Sequence, residues 1–126
     1  MTAAVATIED GVTEFRAPPL RARPMRRIRD DAEALTVAEE VSAKLAEGAA
    51  ARDRDRILSY EEMELLSDAG LLAITVPKSH GRAGVHAGTV ARVIAALSRA
   101  DGSIGQIPQN HFFMLEGLRL QAVVTI

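Results

Sequence analysis

Residues 30–54 read DDAEALTVAEEVSAKLAEGAAARDR, and the spacing of their apolar side chains decides the fold class. Ala34, Ala38, Val41, Leu45 and Ala49 recur every three or four residues, which places them on one stripe of a helix. Asp30 carries the short acceptor that caps a first turn, and Glu33, three residues on, is placed to reach back to the cap amide. The arginine-rich run after Ala51 reads as the solvated end of that helix.

Working outward, a second helix start falls at Ser59, where Glu62 completes a capping-box spacing and Leu58 and Met63 are placed to close a hydrophobic staple. Leu66 and Ala69 continue its apolar face, and Gly70 supplies the left-handed position that commonly ends a helix. LLAITVP then reads as an extended apolar segment stopped by Pro77, and KSHGRAGV as a tight reversal whose Gly81 and Gly84 admit positive backbone dihedrals. A third helix is expected from about Ala87 to Arg99, with Val90, Val93, Ile94 and Leu97 as its stripe. Asp101 and Ser103 offer caps for a fourth, which would turn Ile104, Ile107, Met114, Leu115 and Leu118 inward. The expected architecture is therefore all-α, a bundle of four helices with one extended connection, without internal repeats.

Composition fits that picture. The chain has 126 residues, 48% hydrophobic and 25% charged, so it makes one domain with a modest core, and with only 3% aromatic residues Ala, Leu and Val must fill it. A net charge of −2 gives no overall pull toward nucleic acid. Arg16, Arg21, Arg23, Arg26, Arg27 and Arg29 do crowd residues 1–29, but no aromatics interleave with them and no DNA-reading helix follows, so the segment reads as a mobile basic leader. The absence of cysteine excludes a disulfide framework, a thiolate zinc site and a cysteine nucleophile. No apolar run approaches the ~18 residues of a membrane span, and residues 1–15 lack the apolar core of a secretory signal, so a cytoplasmic location is expected.

Chemistry is most concentrated in GQIPQNH, residues 105–111. Pro108, inside the fourth helix, removes a backbone donor and crowds the Ile104 carbonyl, which predicts a kink. Gln106 and Asn110, four apart, project from one face as neutral amides, able to donate to or accept from a substrate carbonyl, a sulfonyl oxygen or a flavin edge, but unable to act as acid or base. Only His111 in the cluster has a side chain of a type that can move a proton near neutral pH. The bland alternative is that the amides satisfy carbonyls loosened by the proline and that His111 is a hydrogen-bonded structural residue. His80, His86 and His111 lack metal-ligand spacing, His80 reads as a loop histidine, and GRAGVHAG lacks the strand and helix context of a dinucleotide fingerprint.

GLLAITVPKSHGRAGV, followed by a helix ending in LSRADGSIGQIPQNHF, resembles the amino-terminal helical domain of the acyl-CoA dehydrogenase superfamily, over about Ile28 to Leu120. IRDDAEAL together with GQIPQNH resembles most its sulfur-acquisition branch, the dimethylsulfone and dibenzothiophene monooxygenase-like flavin enzymes. That resemblance implies a larger protein with a central β domain and a carboxy-terminal helical domain, a homotetramer using FMN or FAD supplied in reduced form by a flavin reductase, and a small organosulfur substrate. A plain acyl-CoA dehydrogenase acting on acyl-CoA thioesters, whose catalytic carboxylate would lie outside this chain, and a stand-alone helical interaction module are the alternatives.

The resemblance also implies that the fourth helix walls the substrate and flavin cavity through Gln106 and Asn110. The branch is expected to have a titratable histidine and tyrosine at these two positions, which leaves His111 as the candidate for proton transfer. Arg82 in SHGRAG replaces a glycine usual in the family. Nothing in residues 121–126 matches the family, so the expectation is a domain at 30–120 with an unmatched tail, truncated before the β domain and unable to bind flavin or act alone.

Overall fold

In the computed structural model, residues 24–124 are described. They form five α-helices and no strand: α1 (Asp31–Ala46), α2 (Ala49–Asp55), α3 (Tyr60–Asp68), α4 (Ala87–Ala100) and α5 (Gly102–Val124), with single 3₁₀ turns at Leu71–Ala73 and Lys78–His80. The all-α expectation holds, and α4 packs against both α1 and α5. Their shared core is aliphatic: Ala34, Ala38, Val41 and Leu45 from α1 meet Val93 and Leu97 from α4 and Leu66 from α3 in one buried cluster. Each fully buried leucine or valine stabilises the fold by about 1.5–3 kcal/mol relative to exposure.

The Asp30 cap forms as expected. Its Oδ1 accepts from the Glu33 amide at 2.8 Å, while the Glu33 carboxylate accepts from the Arg29 amide at 2.9 Å, one residue before the amide that the capping-box pattern anticipates. The first helix is shorter than its apolar stripe suggests. Gly48 adopts a left-handed φ of 76° and divides α1 from α2, so Ala49 begins a new helix instead of continuing the old one. Periodicity missed this break because the alanines on either side fit both arrangements.

Three further expectations change. Ser59 precedes α3 but makes no side-chain cap bond, and Leu58 is 71% exposed, so neither capping box nor staple forms. The carboxylate that the box required is taken elsewhere, since Glu62 Oε1 pairs with Arg52 Nη1 at 3.1 Å. LLAITVP is not extended: it winds through the 3₁₀ turn and folds back so that Val76 and Ile74 carbonyls accept from the Gly84 and Val85 amides, each at 2.9 Å. An isolated extended segment would leave its backbone groups unpaired; here the reversal satisfies the Ile74 and Val76 carbonyls and the 3₁₀ turn takes the Ala73 and Val76 amides. The positive dihedrals anticipated at Gly70, Gly81 and Gly84 are present.

The expected mobile leader lies mostly outside the described residues, but residues 24–29 are tied to the domain by backbone bonding and by Ile28. The Arg26 amide donates to the Asp68 carbonyl at 2.9 Å and Ile28 is buried in the core. This segment crosses directly over Gly70, where a Cβ would come within 2.1 Å of the Arg26 carbonyl oxygen. Glycine is therefore required there twice, for its dihedral and for the close approach.

The amino terminus of α4 is capped from another helix. His86 makes no side-chain cap bond, and Asp31 Oδ2 instead accepts from the His86 amide at 3.0 Å and the Thr89 hydroxyl at 2.6 Å. Chiefly the Thr89 hydroxyl, and then the His86 amide, hold the Asp31 carboxyl below its ordinary range. Among the described residues, no helix is long and apolar enough to cross a membrane.

Candidate functional site

α5 starts at a well-made cap. Asp101 Oδ1 accepts from the Ser103 and Ile104 amides at 3.1 and 3.2 Å, so Asp101, and not Ser103, provides the capping side chain. From there the helix approaches α4 very closely: a Cβ on Gly105 would sit 2.0 Å from the Ser98 hydroxyl and 2.7 Å from Ser98 Cα. That contact fixes which side of α5 faces inward. Ile104, Pro108 and Phe112, spaced by four, are buried along one line. Gln106, Asn110 and Met114, offset by two residues and hence about 200° around the axis, are exposed along the opposite line.

Pro108 is fully buried and the helix runs unbroken from Gly102 to Val124, so the proline serves as packing surface within a continuous helix instead of ending it. The expected inward set is largely reversed. Ile104 is buried and Leu115 half-buried, whereas Ile107, Met114 and Leu118 face outward. The reason is that polar and apolar residues are spread all round α5, so periodicity alone cannot choose its inner face, and the choice falls to the small residue that permits backbone contact.

The structure brings Gln106 and Asn110 together on the outward face, four residues apart, beside exposed Ile107 and Met114. His111 lies next to this line but is engaged: its Nε2 is 2.7 Å from the Leu72 carbonyl oxygen. A carbonyl can only accept, so Nε2 carries the hydrogen and Nδ1 is the ring atom left for other chemistry. The ring also meets Phe112 edge-on, with centroids 5.4 Å apart. His80 and Arg82 sit on the separate turn after Pro77, where His80 Nδ1 contacts the Ser79 hydroxyl at 3.0 Å.

Sequence reasoning missed the node beneath this helix. Arg52, read as part of a solvated run, has its side chain only 11% exposed. It pairs with Glu62 at 3.1 Å and with Asp101 Oδ2 at 3.0 Å, and donates to the Glu47 carbonyl at 3.0 Å. No signal in the sequence sets it apart from its neighbours, because Gly48 ends the α1 stripe before Arg52 is reached. Arg54 in the same run behaves as expected and pairs with its neighbour Asp55 at the surface.

The outward face of α5 is an open surface and not an enclosed site. It supplies two neutral hydrogen-bonding amides within apolar surface, the mixture suited to one side of a ligand cavity whose other sides come from elsewhere. A groove of about 340 Å³ lies between α1 and α4, lined by Leu35, Glu39, Arg92 and Arg99, none of them from α5. Among the described residues, no group of three or more His, Asp or Glu is placed to hold a metal.

Residues 29–120 match the family described as acyl-CoA dehydrogenase, N-terminal domain. The chain belongs to this family. Among similar proteins, the acyl-CoA dehydrogenase-type chain is 31% identical over 87 residues to a probable FMNH2-dependent monooxygenase, SfnC, from Pseudomonas putida, a match covering 69% of this chain and 22% of that protein. It is also 32% identical over 77 residues to dibenzothiophene monooxygenase from Mycolicibacterium goodii, covering 61% of this chain and 19% of the other. The matches thus span about a fifth of these relatives' length. No solved structure matches the chain. The match begins at Arg29, where the packed strap over Gly70 leads into α1, and ends at Leu120, so it contains the whole Gln106–Asn110 face.

Proposed function

We propose that this chain supplies the amino-terminal wall of the substrate cavity in a flavin-dependent monooxygenase that oxygenates a small organosulfur compound. The observation that carries the reading is the outward line of Gln106 and Asn110 within an apolar face on the last helix of an acyl-CoA dehydrogenase N-terminal domain. The two relatives support flavin and sulfur chemistry, one through FMNH2 in its name and the other through dibenzothiophene.

The α5 face fits one side of such a cavity. Its amides would hydrogen-bond a polar ligand edge while Met114 and Ile107 exclude water, and its exposure leaves the opposite side free for flavin. When bound, reduced flavin would deliver two electrons to O₂, with one oxygen atom passing to sulfur and the other leaving as water. A separate reductase would regenerate the reduced flavin, and FMN is favoured over FAD by the relative named for FMNH2.

Within this chain, Asn110 and Gln106 orient substrate without moving protons. Any proton transferred by His111 would move at Nδ1, because Nε2 is held by Leu72. The exposed Phe113, Leu118 and Leu120 favour a second reading, a helical interaction module.

A chimera separates the two. Residues 29–120 would replace the matching segment of the dibenzothiophene monooxygenase, and the purified protein would be assayed for bound flavin and for dibenzothiophene oxygenation with a reductase supplying FMNH2. Retained flavin and turnover are expected. A folded, flavin-loaded chimera without oxygenase activity would contradict the cavity-wall reading and leave the module.

A further inference from the structure

The stretch of α5 that carries Gln106 and Asn110 is tied down at both ends by polar groups. At its start, Asp101 uses every polar atom it has. Its amide donates to the Leu97 carbonyl at 2.9 Å and its carbonyl accepts from the Gly105 amide at 3.0 Å. Its Oδ1 takes the Ser103 and Ile104 amides, and its Oδ2 takes Arg52 Nε at 3.2 Å and Nη2 at 3.0 Å. Roughly 15 Å further along the helix, His111 Nε2 donates to the Leu72 carbonyl. The two amides lie between these anchors.

We infer that Arg52 is a positioning residue for the polar face of α5. Its guanidinium joins four parts of the domain at one point: the Leu45 and Glu47 carbonyls at the end of α1, its own helix α2, Glu62 on α3, and Asp101 at the start of α5. An exposed ion pair would fix little, because solvent screens it. Here the side chains of Arg52, Glu62 and Asp101 are 11%, 17% and 11% exposed, and the planar fork directs its donors at two carboxylates simultaneously. Asp101 converts that grip into helix placement, since the carboxylate held by Arg52 also caps the first turn of α5. With the Leu72 anchor in place, a change at Arg52 pivots the segment between the two ties. The inference rests on the proposed function only for what the face is used for, and the geometry of the mount is independent of it.

NMR on the 126-residue chain tests it without flavin or substrate, so its failure is separable from failure of the cavity-wall reading. The wild type is compared with Arg52→Gln, Arg52→Lys and Asp101→Asn, the last keeping an acceptor for the Ser103 and Ile104 amides while removing the charge that Arg52 grips. At a temperature where each variant is folded by circular dichroism, the wild type should show His111 as the Nε2–H tautomer. Arg52→Gln and Asp101→Asn should shift those imidazole signals and speed amide exchange at Ser103 to Gln106 roughly tenfold or more, as expected for losing a charge-assisted hydrogen bond. Arg52→Lys should fall between. Should Arg52→Gln fail to fold, the two milder variants carry the same comparison. Lower melting temperatures with unchanged His111 signals and unchanged local exchange would overturn the inference and leave Arg52 as a general stabiliser.

Discussion

The second half of α5 is the more apolar in sequence and the less buried in the fold. In the first half, Ile104, Gly105, Pro108 and Phe112 are buried against the body of the domain. In the second, Phe113 is 74% exposed and Leu118 60%, and Leu115 is half-buried. Hydrophobicity makes a helix want a neighbour, and it does not say which stretch obtains one. The first half obtains α4 because Gly105 lets two backbones meet and because Asp101 and His111 tie the helix at two points. In the second half the glycine, Gly117, approaches no other element, and the exposed apolar surface is the kind that marks an interaction site.

The sharpest way to break this contrast is to truncate one residue from each half. Ile104→Ala removes a fully buried side chain and should cost about 2–5 kcal/mol in urea unfolding. Leu118→Ala, of similar size, should stay within about 0.5 kcal/mol in the same chain. Equal costs would mean that the second half is packed in solution after all. Gly105→Ala should come next, at about 1–3 kcal/mol, since the new methyl group meets Ser98 backbone and hydroxyl and the two helices must part. A melting temperature unchanged by that substitution would show that the close approach is not what seats α5.

A smaller effect separates the capped start of α4 from the rest of the domain. The Asp31 carboxyl is held below its ordinary range by Thr89 and the His86 amide, so its contribution is fully present above the unfolded value of about 3.9 and is lost as pH falls through its lower folded pKa. Thermal melts between about pH 5 and 2 should therefore decline less steeply in Asp31→Asn than in the wild type. Identical slopes would show that this carboxylate does not anchor α4.

Local chemistry was the legible part of the sequence. The Asp30 cap, the α4 stripe and the positive dihedrals at Gly70, Gly81 and Gly84 each depend on a few adjacent residues, and each could be read directly. What escaped depends on distant partners. Glu62 stands at capping-box spacing from Ser59, yet Arg52 takes its carboxylate; LLAITVP looks extended until Gly84 and Val85 return to pair with it. Arg52 itself sits in a run of alternating charge, and only the fold distinguishes it from Arg54 two residues later. At the candidate site, the pairing of Gln106 with Asn110 on one face followed from their spacing. The direction of that face did not, because it is set by the Gly105–Ser98 contact, and His111 gave no sign in sequence that a backbone carbonyl from the turn after α3 would hold its ring.

The central claim is that Asn110 and Gln106 orient substrate by neutral hydrogen bonds on a wall that His111 helps to fix. Its most direct test is kcat/KM for oxygenation by the chimeric monooxygenase, measured against pH for Asn110→Ala, Gln106→Ala and His111→Gln at matched flavin content. Loss of one uncharged hydrogen bond predicts a fall of roughly threefold to tenfold for each alanine variant with the shape of the pH profile preserved. His111→Gln should remove a limb near neutral pH only if Nδ1 transfers a proton, and otherwise lower stability alone. Alanine variants with full flavin content and unaltered kcat/KM would contradict the claim, and would mean that the two amides touch only solvent on an exposed helix.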